Sequence, residues 1–406
     1  MATCNNNQYL DREEVAIMIK EAFGTATKLV KYYSTNLSDK RVGFMSSHRT
    51  LVVVVEENDC EQKTYSFFLK SIPYEIENQL SWILESKIFT KETNFFKFIV
   101  PELMASINDK SWIARCYFVK DDLMVFEDLK VKKFKISTKI LDEPCVRAAL
   151  SSYAKLHAAS ILAERRIGKS WIDLYPELLE EVLFVCKGMS YKWINTGVDI
   201  NVAIAEKLGF DHKSVSAMFS QIFDKAAPSK KRQNVLCHGD PWSYNLMFDD
   251  SQPLPKCVLV DFQVVRYVPP MFEIAQFMHI TTGREFRKQR ETEMLKHYHD
   301  VLCKTLKENS DGQAPVPSFS DILDQYEEMK IVGIISAALY NPTILVNGDV
   351  MTEKLKSFDG FADLMFGSDR VKFMLEYMEK DTIFKDRLVE CITELIERSN
   401  ILQANK

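Results

Sequence analysis

Glycine is scarce in this chain, 13 residues in 406, and nowhere do the glycines form a G-x-G-x-x-G run. That removes the usual glycine-rich nucleotide loop, in which bare backbone amides approach phosphate. Positive charge is not in excess either. The 52 lysines and arginines against 57 acidic residues leave a net charge of -5. With no basic stripe interleaved with aromatics, the composition argues against a nucleic-acid partner. No apolar run is long enough to span a bilayer: IVGIISAAL, 331–339, runs into Asn341-Pro342 and reads as a buried helix. The N-terminal MATCNNNQYLDREEV lacks the apolar core of a secretory signal. The nine cysteines, an odd number, contain no C-x-x-C pair. Cys116, Cys186, Cys237, Cys257 and Cys303 stand in apolar runs and read as small buried hydrophobes. These absences predict a reduced cytoplasmic protein with no zinc site and no membrane span.

What is present is concentrated in VLCHGDPWSYNLMFDDSQPLPKCVLVDFQV, 235–264. His238, Asp240 and Asn245 follow the order H-x-D-x-x-x-x-N, and Asp261 comes sixteen residues after Asn245, behind the apolar run KCVLV. Phosphoryl transfer uses this layout: one carboxylate meets the acceptor hydroxyl, while an amide and a second carboxylate hold magnesium against the nucleotide phosphates. The pattern therefore predicts Asp240 as catalytic base, Asn245 and Asp261 as metal ligands, and ATP with Mg2+ as cofactors. Three spaced residues also arise by chance. Here short apolar strands flank the loop and a polar DDSQP turn joins two of them, which is the context the chemistry needs.

The chain is long enough for two lobes. Its start reads as a helix over 11–33, whose last third, TKLVKYY, is equally a first strand. HRTLVVVVEE and KTYSFFLKSIP read as an antiparallel pair, the segment 76–104 as a long helix, and SWIARCYFVK with DDLMVFEDLK as two more strands. From about Leu141 the pattern turns helical except for the strands at 233–263. The expected fold is α+β and protein-kinase-like. A small antiparallel β lobe (1–127) carries the nucleotide site, and a large, mainly helical lobe (128–406) carries catalysis and the substrate pocket.

The remaining parts of such a site have candidates. Lys70 ends the third strand, where a cation meets the α and β phosphates; taken alone it is an ordinary strand-end lysine. Glu92 on the next helix is its expected partner, in competition with Glu77, Glu85 and Glu102. The loop 38–49, SDKRVGFMSSHR, offers Lys40, Arg41, a single glycine (Gly43), and the hydroxyls of Ser46 and Ser47 as a phosphate clamp or as a plain polar turn. VFEDL, 125–129, stands at the hinge position, where the main chain of Glu127 and Leu129 would hold adenine; Asp128 there is equally a turn cap. The basic KVKKFK at 130–135 reads as solvated surface.

HGDPWSYNLMF with VLVDFQVVRY resembles the ecdysteroid kinase-like family, also called CHK kinase-like proteins. FFLKSIP, FTKETNFFKFIVPEL, VFEDL and SSYAKLHAASI resemble further segments of that family, so the likeness runs from about residue 40 to about 280. It implies a fold of the choline kinase and aminoglycoside phosphotransferase type acting on a small molecule. It also implies that His238 supports the loop and that Lys70 and Glu92 form an ion pair. Phe96 replaces the family's tyrosine, and Glu273 replaces an aspartate expected to anchor the catalytic-loop backbone. The implied activity is transfer of the γ-phosphoryl group of ATP to an alcohol of an ecdysteroid or hydroxylated xenobiotic. The alternative is a pseudokinase-like binder of a hydrophobic ligand, motivated by the glycine-poor loop. Trp193, Tyr191, Met189 and Tyr340 are apolar enough for the pocket, but burial tendencies favour reading each as an ordinary core residue.

Overall fold

The valine run Val52–Val55 stiffens the middle of the first sheet, since β-branched side chains favour extended backbone. In the computed structural model, which describes residues 9–37, 46–57, 61–74, 77–211, 213–310, 312–355 and 360–404, this sheet has five antiparallel strands. They are β1 (Lys28–Asn36), β2 (Ser47–Glu56), β3 (Gln62–Ser71), β4 (Cys116–Lys120) and β5 (Leu123–Glu127), in the spatial order β1-β2-β3-β5-β4. TKLVKYY is thus a strand, and the preceding helix is confined to Arg12–Phe23. Asp11 caps that helix by accepting the Glu14 N–H, and Gly24 ends it.

Strand alternation divides the sheet between two cores. Phe67, Leu69, Leu123 and Val125 face the first helix and pack with Val15, Met18 and Ile19. Phe68, Met124 and Phe126 face the other way, toward the main core. Lys70 shares that inner face by register, opposite Met124. A strand-end lysine is thereby turned into the cleft.

The single helix expected over 76–104 is divided. Glu77–Ser86 ends at Lys87, whose φ of 54° is left-handed, and the chain resumes helically at Ile88. Inside this second helix a π turn spans Phe95–Ile99. Pro101 has no N–H to return to the carbonyl four residues back, and the Val100 N–H bonds instead to Phe95, five residues back.

The helical part is organised round Glu143–Ile167, capped by Asp142. Beside it lie β6 (Lys135–Ile136), β7 (Val235–Cys237), β8 (Leu246–Asp249), β9 (Lys256–Leu259) and β10 (Arg266–Val268). β8 and β9 form the hairpin read from DDSQP, with β6 on its edge, and β7 pairs with β10. β10 had no separate signal: RYV is too short to show alternation. The helices Pro270–Thr281, Arg284–Glu308 and Phe319–Ile344 complete the core. No single helix among the described residues is long and apolar enough to cross a membrane. Cys237, Cys257 and Cys303 are buried as expected, whereas Cys186 is exposed in the irregular segment before Gly188.

Candidate active site

The loop carrying Asp240 is held by buried side chains. Gly239 has φ 89°, and a Cβ there would sit 2.1 Å from the Val264 carbonyl oxygen, so only glycine fits. Its N–H donates to Glu273 Oε1 at 2.7 Å, and Glu273 Oε2 lies 2.9 Å from His157 Nε2 with both side chains fully buried. His157 Nδ1 in turn meets the Tyr298 hydroxyl at 2.9 Å. Burial acts to raise the Glu273 pKa, but His157, His238 and the Gly239 N–H outweigh it and hold the carboxyl below its ordinary value. His157, Cys237 and Glu273 lie close enough to hold a metal. The hydrogen bonds just described already occupy the histidine and the carboxylate.

His238 bonds through Nε2 to the Val260 carbonyl at 2.8 Å and packs on Phe262, which ties the loop to the segment carrying Asp261. Phe262 stacks on Phe95 with centroids 4.8 Å apart and sits edge-on to Phe96 and Trp112. The aromatic residues of the π turn thus seat the DFQ segment. Asp261 lies two residues past the end of β9 and has φ 70°, a left-handed conformation that aspartate tolerates better than most residues.

Asp240, half-buried, is oriented by two side chains. Asn245 Nδ2 donates to its Oδ2 at 2.8 Å and to its carbonyl at 3.0 Å. Trp242 Nε1 reaches the same Oδ2 at 3.3 Å. Removal from solvent and the nearby Asp261 charge push the Asp240 pKa up, against the pull of His238, Tyr340 and Asn245. Burial, with the Asp240 charge, drives the Tyr340 pKa well above the ordinary value.

Lys70 Nζ lies 2.6 Å from Glu92 Oε2 and 2.6 Å from Asp261 Oδ1. Burial opposes its charge, but the Asp261 and Glu92 carboxylates prevail and raise its pKa. Burial pushes the Glu92 pKa up in turn, against the attraction of Lys70. Glu92 Oε1 accepts the Phe262 N–H at 3.0 Å, so one carboxylate joins the strand lysine to the DFQ backbone. Of the competing glutamates, Glu102 pairs with Arg166 and Glu85 accepts the Met189 N–H. Glu77 is helical in backbone, and its side chain is outside the described residues.

The structure therefore brings together Asp240, Asn245, Asp261, Lys70 and Glu92. The residues expected at a hinge, Glu127 and Leu129, are nearby and partly engaged. Glu127 bonds Arg115 through its N–H and its carboxylate and pairs with Lys132. The Leu129 carbonyl already accepts the Lys132 and Phe134 N–H groups, while the Leu129 N–H has no partner among the described residues. Asp128 is a turn cap: its carboxylate accepts the Lys130 N–H at 3.0 Å and the Ser66 hydroxyl at 2.7 Å. Ser46 is buried, with its hydroxyl 2.7 Å from His48 Nε2, a partner the sequence did not suggest. Lys40, Arg41, Gly43 and Phe44 lie outside the described residues.

One cavity of about 340 Å³ runs from Ser46, Phe68 and Leu129 past Lys70, Asp240 and Asp261 to a wall formed by two separate segments. Trp193 and Ser190 contribute one side; Tyr340, Thr343 and Ile344 contribute the other. Of the four pocket candidates, Trp193 and Tyr340 line the cavity, whereas Tyr191 packs against Phe223. Trp82, Leu183 and Met365 also line it and gave no sequence signal beyond ordinary apolar spacing. Trp242, by contrast, was legible within HGDPW.

A search of curated proteins finds no match. Among solved structures the chain is similar to the choline kinase LicA from Streptococcus pneumoniae, with 14% identity over 91% of this chain and 99% of that one, at a TM-score of 0.39. It is also similar to APH(2″)-IIa in a ternary complex with streptomycin and ATP, with 13% identity over 81% and 99% of the two chains, at a TM-score of 0.35. A third is a microcompartment-associated aminopropanol kinase, with 13% identity over 82% and 94%, at a TM-score of 0.33. The model of the ecdysteroid kinase-like family matches residues 42–310, which contain Lys70, Glu92, Asp240, Asn245 and Asp261, and the chain belongs to that family.

Proposed function

We propose that this protein is an ATP- and magnesium-dependent kinase that transfers the γ-phosphoryl group to an alcohol on a small, mainly apolar molecule, an ecdysteroid or a hydroxylated xenobiotic. The observation that carries this reading is the meeting of Asp240, Asn245, Asp261 and the Lys70–Glu92 pair in one cavity.

The donor set suits magnesium. Asn245 spends its amide N–H groups on Asp240, which leaves its amide oxygen for a hard cation, and Asp261 adds a carboxylate. When bound, the cation neutralises phosphate charge. Lys70 stabilises charge on the phosphates, with Glu92 fixing its position. Asp240 accepts a hydrogen bond from the acceptor hydroxyl and takes its proton late. The new bond joins the acceptor oxygen to the γ phosphorus, the bond from that phosphorus to the bridging oxygen breaks, and ADP leaves.

The cleft supports an apolar acceptor. Its carboxylates are engaged: Glu92 and Asp261 with Lys70, Glu127 with Lys132, Asp128 in its turn, and Asp240 with Asn245 and Trp242. No unpaired carboxylate among the described lining residues is left to meet a polycationic substrate. Trp82, Trp193, Leu183, Ile344 and Met365 offer apolar contact instead.

Thermal unfolding with magnesium-ATP separates this from the second reading, a non-transferring binder of a hydrophobic ligand. A kinase is stabilised by magnesium-ATP. Stabilisation by a steroid alone, with none by magnesium-ATP, would favour the binder.

A further inference from the structure

The far wall of the cavity is mostly apolar, yet a buried cation stands directly behind it. Arg370, on the helix Asp369–Lys380, is 1% exposed. Its Nη1 donates to the Thr196 hydroxyl at 2.6 Å and to the Trp193 and Met365 carbonyls, each at 3.2 Å. Its Nη2 donates to the Thr343 hydroxyl at 2.8 Å. Three of these four partners, Trp193, Met365 and Thr343, line the cavity.

All four partners are neutral oxygens, and no carboxylate among the described residues pairs with this guanidinium. The other buried arginines are matched by acids. Arg266 pairs with Glu181, Arg287 with Glu390 and Glu394, and Arg387 with Glu390. Burial alone pulls the Arg370 pKa down to about 10, which leaves the side chain charged at neutral pH. An unpaired buried charge is costly, and the cost is relieved by negative charge or an oxygen dipole brought to it.

Thr343 is the route by which that charge reaches the cavity. The Trp193 and Met365 carbonyls can only accept. The Thr343 oxygen accepts from Arg370, and its own hydrogen has no acceptor among the described residues. Ser190, the other small hydroxyl residue on this wall, spends its hydrogen on the Val182 carbonyl at 2.8 Å. A hydroxyl that accepts from a cation is polarised and becomes a stronger donor.

We propose that Thr343, backed by Arg370, is the seat of a second oxygen on the acceptor alcohol: a carbonyl or carboxylate remote from the hydroxyl that takes phosphate. The same buried charge disfavours a cationic group at that end. The inference rests on the kinase reading, which places the reacting hydroxyl at Asp240.

Primary alkanols of graded length, each ending in methyl, methyl ketone, carboxylate or trimethylammonium, test it on the full chain. Two readouts are taken: KM with magnesium-ATP, and the thermal midpoint with alcohol alone. At the length that spans the cavity, the ketone-ended alcohol has a KM about fivefold below the methyl-ended one, the equivalent of one neutral hydrogen bond. A carboxylate end that feels the buried charge gains about tenfold. The trimethylammonium end is the poorest.

Thr343→Val brings the ratio of oxygen-ended to methyl-ended KM to about one, and Thr343→Ser restores it. Because the ratio is taken within each variant, a general loss of stability does not move it. A wild type that handles the methyl end as well as both oxygen ends overturns the seat, as does a preference that survives Thr343→Val. Better use of the trimethylammonium end than of the methyl end overturns the role of Arg370. Phosphorylation without preference for the end sinks the seat and leaves the kinase reading standing. Stabilisation in the expected order, with no alcohol gaining phosphate, sinks the kinase reading and leaves the seat. If the alcohols neither stabilise the protein nor gain phosphate, both fall.

Discussion

Glu92 and Lys70 lie 2.6 Å apart with both side chains buried, and the other oxygen of Glu92 takes the Phe262 N–H at 3.0 Å. The pair does two things: it fixes a cation in the cleft and it sets the backbone from which Asp261 projects. Breaking a buried pair from one side leaves an uncompensated charge. Here Asp261 remains as a second partner for Lys70, 2.6 Å away.

Glu92→Gln is therefore expected to fold, because its amide oxygen can still accept the Phe262 N–H. It should raise the KM for magnesium-ATP on the order of tenfold, the cost of one charge-assisted hydrogen bond. Glu92→Leu removes both contacts and should lower stability by about 3 kcal/mol. Steady-state kinetics and urea unfolding distinguish the two effects.

Asp240→Asn and Asp261→Ala should abolish measurable transfer, with kcat falling at least about 100-fold, while circular dichroism and the thermal midpoint show an intact fold. Turnover near the wild-type level in either variant would remove the roles assigned to these carboxylates.

Gly239→Ala places a methyl group 2.1 Å from the Val264 carbonyl oxygen at a residue with φ 89°. Neither backbone can yield cheaply, because Gly239 is held by Glu273. The expected cost is about 3 kcal/mol or more, seen as a lowered urea midpoint, together with lost activity.

Lys91 adjoins Glu92 but does not line the cavity, donating instead to the Glu180 carbonyl at 2.5 Å. Burial and the Arg266 charge drive its pKa from 10.5 down to about 8, against the pull of Glu181 and Glu180. A lysine whose folded pKa is lowered costs stability while both states are protonated, below about pH 8. That cost is relieved as pH rises toward 10.5. Lys91→Met should accordingly stabilise the protein at pH 7 by about 2 kcal/mol, and the gain should shrink by pH 9.5. Urea unfolding at the two pH values checks both sign and trend.

The parts legible in the sequence are those where the chemistry needs fixed spacing within one short segment. HGDPWSYN and DFQ carried Asp240, Asn245 and Asp261, and the strand and helix patterns brought Lys70 and Glu92 into play. Less legible were features that depend on distant partners. Lys87 breaks the helix with no proline or glycine to announce it. Ser46 meets a histidine two residues away across the strand entrance, and Arg266 stacks over Phe184 and Phe272 while pairing with Glu181. Tyr340 has the same apolar spacing as any core aromatic; only the folding of its helix brings it to the cavity that Asp240 also lines. Such a placement arises from tertiary packing between segments about a hundred residues apart, and no local pattern encodes it.

The central claim is transfer of phosphate to an apolar alcohol through Asp240. Its most direct test is to incubate the protein with magnesium-ATP and a panel of ecdysteroids and plant-derived alcohols, and to read the products by mass spectrometry. The account predicts a member of the panel that gains one phosphate with the wild type and none with Asp240→Asn. Equal phosphorylation by both proteins, or none by the wild type across the panel, would contradict it.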